Sequence, residues 1–394
     1  MAKLDKHAIG KLGAETRLIV SGRNTDESFG FVSTPPYRGS TVLYPDAESC
    51  LNHTNRYTYG RRGNPTMDAL TSLWSDLEGA AGTVVCPSGA SACTTALLSV
   101  VSAGDHVLVT DSVYRPTRQF CDGMLRRMGV ETTYYDPAVG AGIAALMRPN
   151  TKAVFTESPG SQTFEMQDIP AIARVAAAHG AFTIMDNTWA TPLYFRPLDY
   201  GVDITVNAAT KYPSGHSDLL AGLVAANARA WPKVRDTHGD LGLYLGPDDI
   251  FLLLRGLRTM PLRLKEQAAS AMTIARWLER RPEVLRVLHP ALETDPGHAL
   301  FKRDFKGACS LFGFVLKPVS KAKYEAFLNG AHLFGMGYSW GGFESLMIPF
   351  DATSYRTATP FAPGGNCVRI QIGLETTDDL IASLDAAFAA MAKA

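Results

Sequence analysis

The stretch NAATKYPSGHSD, residues 207–218, places Lys211 between a run of small residues and a Pro-Ser-Gly turn. The preceding residues, DITV (203–206), are typical of a buried strand, so the lysine follows closely after a strand end. A lysine on an exposed surface needs no such setting. Its role therefore depends on which residues the other strand ends bring to the same place.

Short strand-like runs alternate with helix-like runs on both sides of this stretch. The strand-like runs are GTVVCPSG (82–89), DHVLVTDSVY (105–114), KAVFTESPG (152–160), AFTIMDNTWA (181–190), DITVNAATK (203–211) and LAGLVAAN (220–227). The helix-like runs between them close on glycine, a common residue at a helix C-terminus. This alternation predicts an α/β fold in which helices cover both faces of a mostly parallel sheet.

Three parts of the chain differ in pattern. Residues 1–60 are polar and irregular, which predicts an N-terminal arm that contacts a neighbouring subunit. Residues 61–254 carry the alternation and are predicted to form the large domain. Residues 255–394 predict a smaller α+β domain, with a long helix interrupted near Pro261, strand-like runs at 309–317 and 367–374, and a final helix.

The composition argues against several classes of protein. Lys plus Arg and Asp plus Glu number 38 each in 394 residues, so the formal net charge is zero. Nucleic-acid and membrane-surface proteins normally carry a basic excess, and no apolar run is long enough to span a membrane. Six cysteines without C-x-x-C spacing, and an N-terminus without an apolar signal segment, predict a cytoplasmic protein. We expect no metal, because no carboxylate–histidine cluster is present.

Ligands of open parallel sheets bind at the carboxyl ends of the strands. Four such ends carry polar or aromatic residues, namely Ser88-Gly89, Tyr114, Asp186-Asn187 and Thr210-Lys211. Ser88 is either a simple helix cap or the start of a phosphate site, because the first N–H groups of a helix are free. Asp186 is either a structural cap or the partner of a bound cation. Together, the lysine, the phosphate site and the carboxylate predict a Schiff base with pyridoxal phosphate.

The sequence resembles a known family, the cysteine/methionine-metabolism pyridoxal-phosphate enzymes. The stretch 186–218 carries the resemblance, together with YTYGRRGNPT (57–66), PSGASA (87–92), DSVYRPT (111–117), FTESPGS (155–161), LLLRGLRT (252–259), YSWGGFES (338–345) and VRIQIGLE (368–375). The family includes cystathionine β-lyase, cystathionine γ-synthase, cystathionine γ-lyase and methionine γ-lyase. The resemblance covers the chain from about residue 15 and implies a fold-type I, transferase-like α/β architecture with pyridoxal 5′-phosphate as cofactor.

The resemblance also implies roles for residues around the cofactor. Lys211 is the Schiff-base lysine, Asp186 pairs with the pyridine nitrogen, and Tyr114 stacks on the ring. The phosphate is bound by the backbone N–H groups of Gly89 and Ala90 and by the hydroxyl of Thr210. The chain departs from many γ-acting members at two positions, with Ala90 in place of methionine and Ala208 in place of serine. The second departure removes one possible phosphate ligand.

Other implied residues concern the neighbouring subunit and the substrate. Tyr59 and Arg61 reach the active site of a neighbouring subunit, where they contact the phosphate and Tyr59 also the substrate. The implied assembly is a homo-oligomer, a dimer with shared active sites within a tetramer. Arg369 binds the substrate α-carboxylate as a planar fork. Ser339 orients either the freed lysine amine or the substrate carboxylate. The base that removes the Cα proton is Lys211 or Tyr114.

The stretch YSWGG (338–342) bears on the type of reaction. Its aromatic pair, Tyr338 and Trp340, resembles the β-acting members; the alternative is that both side chains simply pack between domains. The resemblance thus implies β-elimination of L-cystathionine to L-homocysteine, pyruvate and ammonia in methionine biosynthesis, with cleavage of cystine and other cysteine conjugates. The alternatives are a γ-lyase or γ-synthase of the same family and a regulatory cofactor-binding protein, although no DNA-binding module is evident. His216, Cys86 and Cys93 are interpreted as structural.

Overall fold

A computed structural model describes residues 6–394. Its helices are α1 (Lys6–Gly10), α2 (Ala14–Val20), α3 (Ala47–Leu51), α4 (Pro65–Glu78), α5 (Gly89–Leu98), α6 (Arg115–Phe120), α7 (Ile169–Ala178), α8 (Thr191–Tyr194), α9 (Trp231–Asp240), α10 (Pro247–Glu279), α11 (His298–Asp304), α12 (Lys321–Gly330) and α13 (Thr377–Lys393). Its strands are β1 (Gly82–Cys86), β2 (His106–Thr110), β3 (Glu131–Tyr135), β4 (Thr151–Glu157), β5 (Phe182–Asp186), β6 (Ile204–Asn207), β7 (Gly222–Ala226), β8 (Val284–Leu288), β9 (Leu311–Leu316), β10 (Leu346–Phe350) and β11 (Asn366–Gln371).

The larger sheet has seven strands in the order β1-β7-β6-β5-β4-β2-β3. Strands β2–β6 are parallel where they pair, and β7 runs antiparallel to both of its neighbours. The prediction of a mostly parallel α/β sheet is therefore confirmed. The sequence pattern does not predict the edge strand β3, because only the last of its five residues is fully buried. The carboxyl ends of β1, β2, β4, β5 and β6 meet at one edge of the sheet.

Local signals position the helices beside this edge. Helix α4 begins at Pro65, whose missing N–H costs nothing at a helix start, and the Asn64 side chain accepts a hydrogen bond from Met67 N at 2.9 Å. Gly79 ends the helix with φ +70°, a conformation that favours glycine. The chain then enters β1, whose five residues are all buried.

The smaller sheet has four antiparallel strands in the order β10-β11-β9-β8. Its core includes Phe314, Phe327 and Phe388, which join β9 to helices α12 and α13. The predicted strand-like runs correspond to β9 and β11, whereas β8 and β10 have no clear sequence signal. Both missed strands contain exposed positions that interrupt a continuous apolar run.

The predicted interruption of the long helix near Pro261 is wrong. Helix α10 continues for 33 residues with Pro261 inside it. The proline removes one helix hydrogen bond, while the fully buried Leu257, Met260 and Leu264 hold the same stretch against the core. The predicted domain boundary at residues 254–255 also lies within α10, and the division of the chain into domains stays a prediction.

The N-terminal segment contains helices α1–α3 joined by irregular chain. Residues 1–5 of the predicted arm lie outside the described residues. An isolated bridge pairs Thr41 with Tyr59. The contact of this arm with a neighbouring subunit stays a prediction. No helix within residues 6–394 is long and apolar enough to cross a membrane.

Candidate active site

A cavity of about 810 Å³ opens at the carboxyl edge of the seven-stranded sheet. One wall is formed by residues at or just after the ends of β1, β2, β4, β5 and β6. The opposite wall is formed by Tyr338, by Trp340, by residues within 349–355 and by Arg369 of β11. The cavity therefore lies between the two sheets, at the carboxyl edge of the larger one.

Lys211 lies in a turn after β6 and extends into this cavity. Its amine donates a hydrogen bond to Ser339 Oγ at 2.9 Å and lies 5.3 Å from the centre of the Trp340 ring. Burial, reinforced by the positive charge of Arg369, lowers the pKa of Lys211 to about 8. About a tenth of the amine is therefore neutral, and nucleophilic, at pH 7, far more than for an ordinary lysine.

A glycine allows the segment 338–342 to approach Lys211 closely. Gly341 has φ +82°, and a Cβ atom there would lie 2.8 Å from Tyr212 N and 3.2 Å from Lys211 Cα. Any other residue would therefore push Ser339 and Trp340 away from the lysine amine. The side-chain amide of Gln267 also donates to Gly342 O at 2.6 Å, which fixes the segment against α10.

Asp186 is the last residue of β5, which pairs in parallel with β6, so its carboxylate lies beside the strand that leads to Lys211. Its Oδ1 accepts hydrogen bonds from Thr188 N at 3.0 Å and Thr188 Oγ1 at 2.5 Å, and its Oδ2 accepts from the thiol of Cys93 at 3.6 Å. Burial raises the pKa of Asp186, and the Thr188 hydrogen bonds only partly offset this. Because a thiol is a weak donor, Asp186 Oδ2 can still accept a hydrogen bond from a cationic partner.

The start of α5 forms the third part of the cavity wall. The Ser88 side chain caps the helix by accepting a hydrogen bond from Ser91 N at 3.1 Å. Gly89 and Ala90 are half-buried in the cavity wall, and the first N–H groups of a helix have no partner within it. A Cβ atom at Gly89 would lie 2.5 Å from Ala208 Cβ, so only glycine fits here. This backbone arrangement suits an anion.

The Thr210 hydroxyl lines the cavity but already has backbone partners. It donates to Ala221 O at 3.1 Å and accepts from Ala221 N at 3.0 Å. Contact with a phosphate would require the hydroxyl hydrogen to turn away from Ala221 O. Its predicted role as a phosphate ligand stays a prediction.

Tyr114 follows β2 and exposes 41% of its surface on the cavity wall. Its backbone N–H donates to Glu157 Oε2 at 2.6 Å, which fixes the start of α6 against the end of β4. Burial, with the nearby Cys93 and Asp186, raises the pKa of Tyr114. The phenol therefore keeps its proton at neutral pH.

Arg369 lies on the opposite wall and is 8% exposed. Its Nη2 donates to the carbonyl groups of Tyr338 at 2.8 Å and Ser339 at 3.1 Å. Burial lowers the pKa of Arg369 to about 10, so it remains a cation at neutral pH. Among the described residues it pairs with no carboxylate, which leaves its charge for a ligand.

The two aromatic residues of the YSWGG stretch differ in setting. Trp340 packs edge-on against the buried Tyr212, with ring centres 5.4 Å apart, whereas Tyr338 is 83% exposed. Trp340 therefore both packs in the core and faces Lys211. Tyr338 lines the cavity mouth from the solvent side.

Tyr59 and Arg61 are not among the residues that line this cavity. Tyr59 is 47% exposed, and Arg61 Nη1 donates to Gly239 O at 3.1 Å at the end of α9. The structure does not bring either residue to Lys211 of the same chain. Their roles at a neighbouring subunit stay predictions.

Several residues of the cavity are absent from the predicted site, and two of them, Glu157 and Cys93, contact residues that the sequence predicts. Glu157 ends β4 and pairs in register with Asp186, so the rule applied to the other strand ends also identifies it. Cys93, interpreted from sequence as a small core residue, donates to Asp186. It lies four residues after Gly89 in α5, a spacing that places both on one helix face. His216 instead donates from Nδ1 to Ser214 O at 2.6 Å, outside the cavity lining.

The residues present fit pyridoxal 5′-phosphate. The buried carboxylate of Asp186 can accept a further hydrogen bond, which suits a protonated ring nitrogen. The free N–H groups at the start of α5 suit a phosphate, and the partly neutral amine of Lys211 suits an aldehyde. Within residues 6–394, no three His, Cys, Asp or Glu side chains are grouped to hold a metal ion.

Comparison with known proteins agrees with this fit. Residues 15–389 match the model of the family described as Cys/Met metabolism PLP-dependent enzymes. A putative cystathionine β-lyase of Rhizobium johnstonii is 54% identical over 382 residues, 96% of each chain. The cystathionine β-lyase of Escherichia coli is 41% identical over 388 residues, 95% of this chain and 98% of that one.

A solved structure supports the same assignment of the fold. The cystathionine γ-lyase of Lactobacillus plantarum, complexed with L-serine, superposes with a TM-score of 0.89 at 32% identity, covering 97% of this chain and 100% of that one. The fold-type I architecture implied by the resemblance is thereby confirmed.

Proposed function

This chain belongs to the family of Cys/Met metabolism PLP-dependent enzymes, and we propose that it is a carbon–sulfur lyase that converts L-cystathionine to L-homocysteine, pyruvate and ammonia. The observation that carries this proposal is the juxtaposition of the Lys211 amine, the free side of Asp186 and the unpaired Arg369 in one cavity. The names of the relatives at 41% and 54% identity support the choice of substrate.

The residues that would hold the cofactor lie on the large sheet. Lys211 would bind the aldehyde carbon, Asp186 the ring nitrogen, and the N–H groups of Gly89 and Ala90 the phosphate. Tyr114 would cover one face of the ring. When bound, pyridoxal 5′-phosphate supplies a protonated ring that withdraws electrons from the substrate Cα.

The protein groups then hold the substrate and move its Cα proton. Arg369 would bind the α-carboxylate by a bidentate pair of hydrogen bonds. Lys211 Nζ, once free, is the base best placed to take the proton, because its lowered pKa of about 8 leaves it partly neutral and Ser339 Oγ holds it at 2.9 Å. Tyr114 keeps its proton and would donate it to the departing sulfur.

Cleavage of the Cβ–S bond releases L-homocysteine, and hydrolysis of the three-carbon remainder consumes one water to give pyruvate and ammonia. The packing of Trp340 against Tyr212 supports β- over γ-elimination, because it narrows the space beside Lys211. The likeness to solved γ-lyase and γ-synthase structures keeps γ-elimination as the second candidate.

The proposal includes assembly and location. Tyr59 and Arg61 are away from the cavity of their own chain, which supports their use in a partner's site within a homodimer or tetramer. Five of the six free cysteines are buried and none is paired among the described residues, which supports a reducing cytoplasm. The division into an arm at 1–60, a large domain at 61–254 and a C-terminal domain at 255–394 belongs to the same proposal.

Replacing Lys211 tests the proposal. The wild-type enzyme should release pyruvate from L-cystathionine, and borohydride reduction should attach the cofactor to the peptide that contains Lys211. Lys211→Ala should lose at least about 100-fold in kcat, the usual scale of a proton-transfer group. Release of 2-oxobutyrate in place of pyruvate would establish γ-elimination, and normal turnover by Lys211→Ala would overturn the mechanism.

A further inference from the structure

We propose that Arg115 forms a leaving-group subsite that selects substrates whose departing thiol carries a carboxylate. The inference deepens the proposed function and rests on it. It assigns to this enzyme a preference for substrates with two acidic ends over cysteine conjugates with neutral S-alkyl groups.

Two arginines line the cavity, Arg369 and Arg115. Arg369 would take the carboxylate of the half that reacts. Arg115 directly follows Tyr114, the residue expected to cover the ring, and is exposed to the cavity. Among the described residues it makes no ion pair and no side-chain hydrogen bond. A second carboxylate of the substrate would neutralise this second free guanidinium.

Two other arginines close to Arg115 do have carboxylate partners. Arg118, one helical turn later, pairs with the buried Asp111. Arg356 pairs with Asp111 at 3.0 Å and with Glu165 at 2.7 Å. Both arginines are neutralised within the fold, so neither is available to a ligand. Arg115 is the cation of this group that the fold leaves free.

Tyr355 holds the Arg115 side chain at the cavity. The guanidinium carbon lies 5.7 Å from the centre of the Tyr355 ring, a cation–π contact that orients the planar fork. The Tyr355 hydroxyl in turn donates to Gln162 Oε1 at 3.0 Å. Gln162 has φ +65°, an unfavourable conformation for a residue other than glycine that is often found at binding sites. Gln162, Tyr355 and Arg115 all line the cavity.

A matched pair of substrates isolates the carboxylate. S-(2-carboxyethyl)-L-cysteine and S-propyl-L-cysteine have side chains of similar length and differ by a carboxylate on the departing thiol. Neither probe carries a second ammonium group, so Asp351, a carboxylate that also lines the cavity, has no ammonium to bind. The measurement is kcat/KM of the holoenzyme for each probe, followed by pyruvate release.

The wild type should prefer the carboxyethyl compound, and Arg115→Gln should reduce that preference by about 10- to 100-fold, the range expected for a lost hydrogen bond to a charged group. The loss should appear in KM, with turnover of the propyl compound unchanged. Arg115→Lys should recover part of the preference. Arg126→Gln, which removes an exposed arginine outside the cavity lining, should match the wild type.

If Arg115→Gln lowered kcat/KM equally for both probes, or left the ratio of the two kcat/KM values as it is in the wild type, the proposed subsite would be overturned. If the wild type releases pyruvate from neither probe, calorimetric binding of the same probes judges the subsite, and only the absence of pyruvate from L-cystathionine as well would overturn the proposed reaction. In that case Arg115→Gln must weaken binding of the carboxyethyl compound alone, and any other pattern rejects it.

Discussion

Asp111 and Asp186 are two buried aspartates at the same edge of the large sheet, yet their surroundings differ sharply. Asp111 follows β2 and accepts hydrogen bonds from Arg356 Nε at 3.0 Å, from Arg118, and from the backbone N–H groups of residues 357–359. Asp186 ends β5 and, within residues 6–394, accepts hydrogen bonds only from Thr188 and from the weak thiol donor of Cys93.

Asp111 has more hydrogen-bond donors than Asp186, and the pKa values of the two carboxyl groups therefore shift in opposite directions. Burial alone would raise the pKa of Asp111, but the backbone N–H groups of Thr359 and Thr357 and the Arg356 guanidinium lower it below its ordinary value. Burial raises the pKa of Asp186, and its fewer donors do not reverse this. A saturated carboxylate joins parts of the fold, whereas an unsaturated one at a cavity is available to a ligand.

The strongest test of this comparison is the pair Asp186→Asn and Asp111→Asn. Asp186→Asn should lower kcat/KM by about 100-fold or more, because a buried charge loses a partner worth about 3–5 kcal/mol. Asp111→Asn should instead lower the free energy of unfolding by about 3–5 kcal/mol, because Arg118 is then buried without a carboxylate and Arg356 keeps only Glu165.

Steady-state kinetics and urea unfolding of both holoenzymes provide the measurements. The kinetics of folded Asp111→Asn should change far less than those of Asp186→Asn. If Asp186→Asn were the less stable variant and Asp111→Asn the less active one, the assignment of the two roles would be reversed.

The pH dependence of the free energy of unfolding at acid pH tests the same comparison, with a smaller expected effect. Because the folded pKa of Asp111 lies below its ordinary value of 3.8, its contribution to stability is present above that pH and is lost as the pH falls through the folded pKa. Wild-type stability should therefore fall on acidification below about pH 4, by up to about 1.4 kcal/mol per pH unit for one proton. In urea-unfolding experiments, the free energy of unfolding of Asp111→Asn should fall less steeply with decreasing pH than that of the wild type. An equally steep fall would show that another group is responsible for the titration.

The sequence predicts the cofactor side of the cavity well because its signals are local. Each of Ser88, Tyr114, Asp186 and Lys211 lies at or just beyond a strand end, and parallel pairing brings these ends to one edge. Glu157 follows the same rule. A strand pattern therefore suffices to place these residues together, although it does not show which oxygen of a carboxylate is free.

The substrate side depends on contacts between distant residues, which no local pattern encodes. The approach of the 338–342 segment to Lys211 requires Gly341. The segment that carries Tyr355 is held by the hydrogen bond of the adjacent Arg356 to Asp111, 245 residues earlier in the chain. The continuity of α10 through Pro261 likewise reflects burial against the core. Pairings of this kind arise from the packing of the two sheets, so the sequence alone leaves them open.

The smallest expected effect comes from substitutions that distinguish the two residues that donate to Asp186, Thr188 and Cys93. Thr188→Val removes the hydroxyl that donates to Asp186 Oδ1 at 2.5 Å and accepts from Ala208 N at 2.8 Å, so kcat/KM should fall by about 10-fold or more. Cys93→Ala removes only a weak donor and should change kcat/KM by less than about threefold. Thr188→Ser, which keeps the hydroxyl, should stay close to the wild type. A loss in Cys93→Ala as large as that in Thr188→Val would show that Asp186 depends on the thiol as much as on the hydroxyl.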